Sequence, residues 1–442
     1  MFEPNSTVVV WALWGLAVLG VIGICWLWPR LANRGVTPVL GRALSQVVAS
    51  TLVVLAVGGL LNQQNGWYGS WTDLGNDILG NPPVIAHQAL RGHLQYTQHF
   101  DSQAARRTDQ RAQQRFGVER ATFQRTLGLH TKSNAQGQAQ GQYVSVVVPG
   151  LGLTGRKDAG KVTVWLPPSY ATGSQSTTYP VIEAFSGIPG SPRDYQTKVK
   201  FQDIIAMEHQ RFGLVEPIVI IPDYNPSALD TECVNSPGVP METWVTQTIP
   251  TWVLHHLRAR PDRGSWAALG YSAGAFCAEV SAVLNPQQYG ALLIFGGYNH
   301  PEWGSWLPFG KLSAWPERYN ILKDLRVSPP PIDVWIEQSQ ADAQSLGEAK
   351  HFIQAVRAPT SVTTIVLKGA GHRFSVWRGV MPDALKWLAK SEPAFQSRVV
   401  PPDVRLPSAS PVHPSATAPP APRSKPGPTP SNDPTSSAPY PA

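Results

Sequence analysis

Three cysteines in 442 residues are too few for a disulfide scaffold or a cysteine-rich zinc module. Charge is scarce too. Asp, Glu, Lys and Arg make up 15% of the chain, where soluble proteins average about a quarter. This composition excludes a coiled coil, a collagen-like rod and a wholly disordered chain. The scarcity is concentrated at one end. Glu3, Arg30, Arg34 and Arg42 are the charged residues of the first 62, and Val8 to Trp28 has none. Those 21 residues, at 1.5 Å each, span a bilayer core of roughly 30 Å. A signal peptide begins with Lys or Arg and ends at a small-residue cleavage site. Here the leader is MFEPNST and the far end is Trp26-Leu27-Trp28-Pro29, so a retained span is expected.

A second span is expected from Ala43 to Leu61, more polar but dominated by Val, Leu, Ala and Gly. The loop between them carries Arg30, Arg34 and Arg42 and no acid, which by the positive-inside rule places it in the cytoplasm. Everything after Leu61 is then extracytoplasmic. The expected localisation is the cell membrane, two-pass, with residues 1–62 as the anchor.

What the chain has in excess is proline, 42 residues, 14 of them in residues 401–442 among Ser, Thr and Ala. Such a tail cannot bury enough surface to offset its ordering entropy, and a disordered stalk in contact with the cell wall is expected there. Residues 63–140 read as a polar juxtamembrane linker. From His87 to Ser133 eight bases face three acids, most of the net +7. Helical spacing through Ala105, Ala112, Phe116, Phe123 and Leu127 predicts a solvated spacer helix, with a basic arm on lipid or wall polymer as the alternative. No nucleic-acid motif accompanies the charge, so no nucleic-acid partner is expected.

Residues 141–400 change character. Short β-branched runs alternate with helical or loop segments: Tyr143–Val148, Val162–Leu166, Val181–Phe185, Ile218–Ile221, Trp266–Leu269, Leu292–Ile294, Ile332–Ile336 and Thr363–Leu367. Runs this apolar suit a sheet covered on both faces, and the alternation predicts a doubly wound, mostly parallel α/β sheet. One run leads into Gly270-Tyr271-Ser272-Ala273-Gly274 and then a helical segment. Gly-x-Ser-x-Gly between strand and helix is the pattern of a nucleophile elbow, with Ser272 exposed at the sheet's carboxyl edge and Gly270 and Gly274 making the turn.

A serine nucleophile needs a base, and the base an orienting carboxylate, in the order Ser, acid, His after successive strands. His372 follows the last run. Asp342 and Glu337 both follow the run before it, with Asp342 favoured. His351 reads as a surface-helix residue. The oxyanion donors are expected to be the N–H of Ala273 and that of Ile188, in the loop Phe185-Ser186-Gly187-Ile188. Tyr298, Trp303, Trp306 and Trp315 either line a substrate groove or pack their own loop. No metal or other cofactor is expected.

The segments VTVWLPPSY, YPVIEAFSG, PDY, DTECV, METW, GYSAG and GAGHRFSVW together resemble the "Putative esterase" branch of the α/β hydrolases. That branch includes the esterase D family, feruloyl-esterase-like domains and secreted mycolyltransferases, and the similarity runs from Gln142 to Val400. WYGSWTDLG after the two spans resembles membrane-anchored bacterial members. The resemblance implies carboxylic-ester chemistry, hydrolysis or acyl transfer to a sugar hydroxyl, on an ester or acyl-lipid substrate. It places the triad on Ser272, Asp342 and His372. Two positions depart from the pattern: Ser186 stands where most members have His, and Ser339 where the acid loop usually has Gly. Cys233 and Cys277 both lie outside the membrane on this topology and could pair; two free buried thiols are the alternative.

Overall fold

The computed structural model describes residues 2–397, except residues 33–34, 94–101, 130–131, 134–138, 154, 157, 305, 312–313 and 344. The proline-rich tail expected from 401 lies outside the described residues.

Nine strands form one sheet: β1 (Val84–Arg91), β2 (Gln142–Val147), β3 (Lys161–Leu166), β4 (Val181–Phe185), β5 (Ile218–Pro222), β6 (Trp266–Tyr271), β7 (Ala291–Phe295), β8 (Asp333–Ser339) and β9 (Ser361–Lys368). Their spatial order is β1-β9-β8-β7-β6-β4-β5-β3-β2. The six strands from β5 to β9 in that order are parallel, and β3, β2 and β1 join antiparallel. Alternation along each strand feeds two cores. In β6, Trp266 and Ala268 face one side, and Ala267, Leu269 and Tyr271 the other.

Helices cover both faces. α5 (Phe201–Phe212) and α9 (Phe374–Ser391) pack on one. α6 (Ile249–His256), α7 (Ala273–Leu284) and α8 (Leu346–Ala355) pack on the other. The sheet is thus a largely parallel α/β sheet, with the β-branched runs where the pattern put them.

Before the sheet stand α1 (Thr7–Leu31) and α2 (Val36–Asn65), both long and apolar enough to cross a membrane. They pack as a hairpin. Gly20 lies against Leu52, Gly59 against Leu13, and Gln63 Nε2 donates to Thr7 Oγ1 at 3.0 Å.

The linker expected over 63–140 is different in the structure. After α2 come α3 (Trp71–Ile78), then β1, then α4 (Ser102–Thr126). β1 pairs with β9 from Val84↔Lys368 to Arg91↔Val362, extending the sheet past its last parallel strand. Its His and Gln residues mask a strand that is drawn in by backbone pairing with an otherwise open edge. α4 is not a solvated spacer. Arg120 is 1% exposed and donates to the carbonyls of Leu254 (2.9 Å) and Ala259 (3.2 Å). Phe123 meets Trp252 edge-on at 5.1 Å. A guanidinium aimed at the carbonyls of Leu254 and Ala259 is satisfied while its helix seals the core.

Candidate active site

β6 ends at Tyr271, and the chain turns within one residue into α7. Ser272 takes the turn with φ 56° and ψ −132°, a backbone conformation that costs about 1–3 kcal/mol in a non-glycine residue. The neighbours must be glycines. A Cβ on Gly270 would lie 1.9 Å from the carbonyl oxygen of Gly274, and one on Gly274 would lie 2.2 Å from that of Phe185. The Ser272 N–H donates to the carbonyl of Phe295 at the end of β7, at 2.9 Å, which fixes the strained turn to the sheet.

β8 delivers the acid and β9 the histidine. His372 Nε2 lies 2.9 Å from Ser272 Oγ, and its Nδ1 lies 2.7 Å from Asp342 Oδ2. The other oxygen of Asp342, Oδ1, accepts the Ser345 N–H at 3.1 Å. Burial opposes ionisation of Asp342, but the bonds from His372 and Ser345 outweigh it and hold the carboxyl below its ordinary range. Glu337 behaves in the opposite way. Burial, reinforced by the nearby Asp342 charge, pushes it from an ordinary 4.5 up to about 8. That favours its neutral form, which suits it less than Asp342 to stabilising an imidazolium. His351 lies on α8, its Nδ1 3.5 Å from Glu348, exposed as expected.

Other residues hold this arrangement; Ser339 was noted in the sequence as a departure from the family pattern, while Trp377, Tyr195 and Tyr224 were given no role there. The His372 ring meets Trp377 edge-on at 4.8 Å, and Trp377 stacks on Tyr271 at 4.9 Å. Ser339 Oγ donates to the Ala370 carbonyl, which ties the end of β8 to the loop carrying His372. A glycine at 339 could not make that tie. On the side of Gly187 and Ile188, Tyr195 OH donates to the Phe185 carbonyl at 2.9 Å and Tyr224 OH to that of Ser186 at 2.6 Å. These bonds pin the loop of Gly187 and Ile188, where a Cβ on Gly187 would lie 2.9 Å from the Ser272 Cβ. Ile188 is half-buried beside it. Ala273 opens α7, where first-turn N–H groups have no helical acceptor.

The structure joins Cys233 to Cys277, with a Cα–Cα distance of 5.2 Å, fastening the loop after β5 to α7. The aromatic set packs its own loop. Tyr298 OH donates to both oxygens of buried Glu232, Trp303 Nε1 to the Ala314 carbonyl, and Trp315 stacks on His300 at 5.3 Å. Among the described residues no cluster of three His, Cys, Asp or Glu side chains could hold a metal ion.

A family model described as "Putative esterase" matches residues 156–388. The chain belongs to this family. The esterase-family match begins at the turn before β3 and ends within α9, so it takes in the elbow and the loops after β8 and β9. An uncharacterized protein of Corynebacterium glutamicum is 23% identical over 251 residues, covering 53% of this chain and 58% of its own length. The chain therefore spans under two thirds of that relative. Solved structures with a similar fold include an S-formylglutathione hydrolase from Agrobacterium tumefaciens (19% identity, 57% of this chain and 96% of that one, TM-score 0.46). Another is a ferulic acid esterase from Anaeromyces mucronatus (15% identity, 58% and 93%, TM-score 0.45).

Proposed function

We propose that this esterase-family chain is a membrane-tethered serine esterase or acyltransferase acting on carboxylic esters at the cell envelope. The observation that carries the reading is the continuous path Asp342–His372–Ser272, at 2.7 and 2.9 Å. Ser272 Oγ attacks the ester carbonyl as His372 Nε2 takes its proton. Asp342 fixes the tautomer and stabilises the imidazolium. The N–H groups of Ala273 and Ile188 receive the oxyanion. Collapse expels the alcohol, protonated by His372, and leaves an acyl-Ser272 ester. Water or a second alcohol, such as a sugar hydroxyl, then takes the acyl group by the same steps in reverse.

The catalytic unit corresponds to residues 141–400, with β1 and α4 added to it. The anchor is α1 and α2, with the catalytic unit extracytoplasmic. A non-catalytic envelope protein would have no use for a strained Ser272 or an ionised Asp342 beside His372.

The test is hydrolysis of short-chain p-nitrophenyl esters by the full chain, wild type against Ser272→Ala, with fluorophosphonate labelling in parallel. Turnover and labelling are expected in the wild type alone. Equal turnover in both proteins would overturn the reading. Labelled acyl donors offered with and without a sugar acceptor distinguish hydrolysis from transfer.

A further inference from the structure

The loop that carries His372 has little stiffness of its own. It runs Gly369-Ala370-Gly371 from β9, and Gly369 has φ 75°. Yet the imidazole must be held to roughly 0.5 Å for proton transfer. Much of what holds it comes from the end of the second apolar helix.

Gly66 caps α2 in the left-handed conformation, and its carbonyl accepts the backbone N–H of His372 itself at 2.7 Å. Gly371 is pressed so closely that a Cβ there would lie 2.2 Å from the Trp67 carbonyl oxygen. On the acid side, a Cβ on Gly69 would lie 2.1 Å from the Cβ of Ala341, the neighbour of Asp342.

Arg373 closes the contact. Its guanidinium donates to the Trp67 carbonyl (2.8 Å) and to both oxygens of Asp73 (2.6 and 2.8 Å), and lies 3.5 Å from Asp77 and 4.6 Å from the Tyr68 ring centre. Arg373 is 12% exposed and Asp73 7%, so this bidentate pair is sheltered from water. Asn62, in the last turn of α2, holds the segment in shape by donating to the Tyr68 carbonyl (3.0 Å) and accepting its N–H (2.8 Å).

We propose that the juxtamembrane segment Asn62–Asp77 is a positioning part of the active site, holding the backbone of His372 and the acid loop through the Gly66 carbonyl, the Gly69–Ala341 contact and the Arg373–Asp73 pair. It rests on the triad reading above and extends it: the anchor sets catalytic geometry as well as location.

The test uses the full chain in lipid nanodiscs with a short soluble p-nitrophenyl ester. Turnover is expressed per active site titrated with fluorophosphonate, so that misfolded protein does not count. Asp73→Ala removes the pair. Gly69→Ala drives a wedge against Ala341 from outside the catalytic fold. Each is expected to lower kcat per titrated site roughly tenfold with KM within about twofold, since the segment touches the catalytic loops and the ester does not need it for binding. Ala341→Gly added to Gly69→Ala is expected to recover part of the loss per titrated site, since it removes the Cβ contact and leaves only the Ala341 backbone close by. A fall of less than threefold per titrated site in both variants overturns the proposal. Turnover by Ser272→Ala in the same nanodiscs overturns the triad reading instead, and the two failures are distinguishable.

Discussion

At the scale of single residues, the two buried carboxyls beside the site divide into opposite roles. Asp342 has two hydrogen-bonded oxygens and stays ionised, while Glu337, fully buried, is pushed up to about 8. Asp342→Asn is expected to lower kcat by about 10³–10⁴-fold, and Glu337→Gln to leave it within about threefold, as steady-state kinetics on the same ester will show. Glu337 and Glu183 also make stability depend on pH. Burial pushes each from an ordinary 4.5 up to about 8 in the folded chain. The unfolded chain therefore releases these protons first. The stability they contribute is full below about pH 4.5 and is lost as pH rises towards 8. Calorimetric Tm values across that window are expected to fall less steeply in Glu183→Gln and Glu337→Gln than in the wild type. That Ser272, Asp342 and His372 come together was legible at this scale, because each follows an apolar strand in a fixed order. The bonds that hold the triad were less so. The Phe185, Ser186 and Ala370 carbonyls that receive Tyr195, Tyr224 and Ser339 are backbone groups, and every residue has one.

At the scale of elements, the eight apolar runs became strands β2 to β9; for β3 to β9, burial on both faces demands residues that are visible in a sequence, while β2 is a half-buried edge. β1 was missed for the opposite reason. Its stabilisation comes from pairing with β9, and its own side chains, including Gln88 and Arg91, do not advertise a strand. α4 was seen as a helix but its docking was not, since its apolar spacing is sparse and its most buried contact runs through Arg120 and two carbonyls, alongside Phe123 against Trp252. Hydrogen exchange separates the readings: the amides of Ser102–Thr126 are expected to be protected with the domain, where a solvated spacer would exchange far sooner. The Cys233–Cys277 bridge closes a loop of sequence separation 44, for which chain entropy allows up to about 4 kcal/mol. Replacing both cysteines with alanine is expected to lower Tm by on the order of 10 °C in a domain of this size.

At the scale of the whole molecule, the scarcity of charge resolves into place: two apolar helices at one end, and a basic surplus that lies in the segment containing β1 and α4. The proposed topology has a direct check. A reporter active only in the cytoplasm, fused after Asn62, is expected to stay silent, and one active only outside to respond. The bond from His372 to the Gly66 carbonyl then has a kinetic consequence. An enzyme on a long tether explores the bulk, but here no slack separates the end of α2 from His372. On the proposed reading, catalysis is confined to a thin layer against one surface. For an amphiphilic ester, the concentration that matters is its mole fraction in that surface, so dilution with inert lipid should slow the enzyme while dilution with buffer should not.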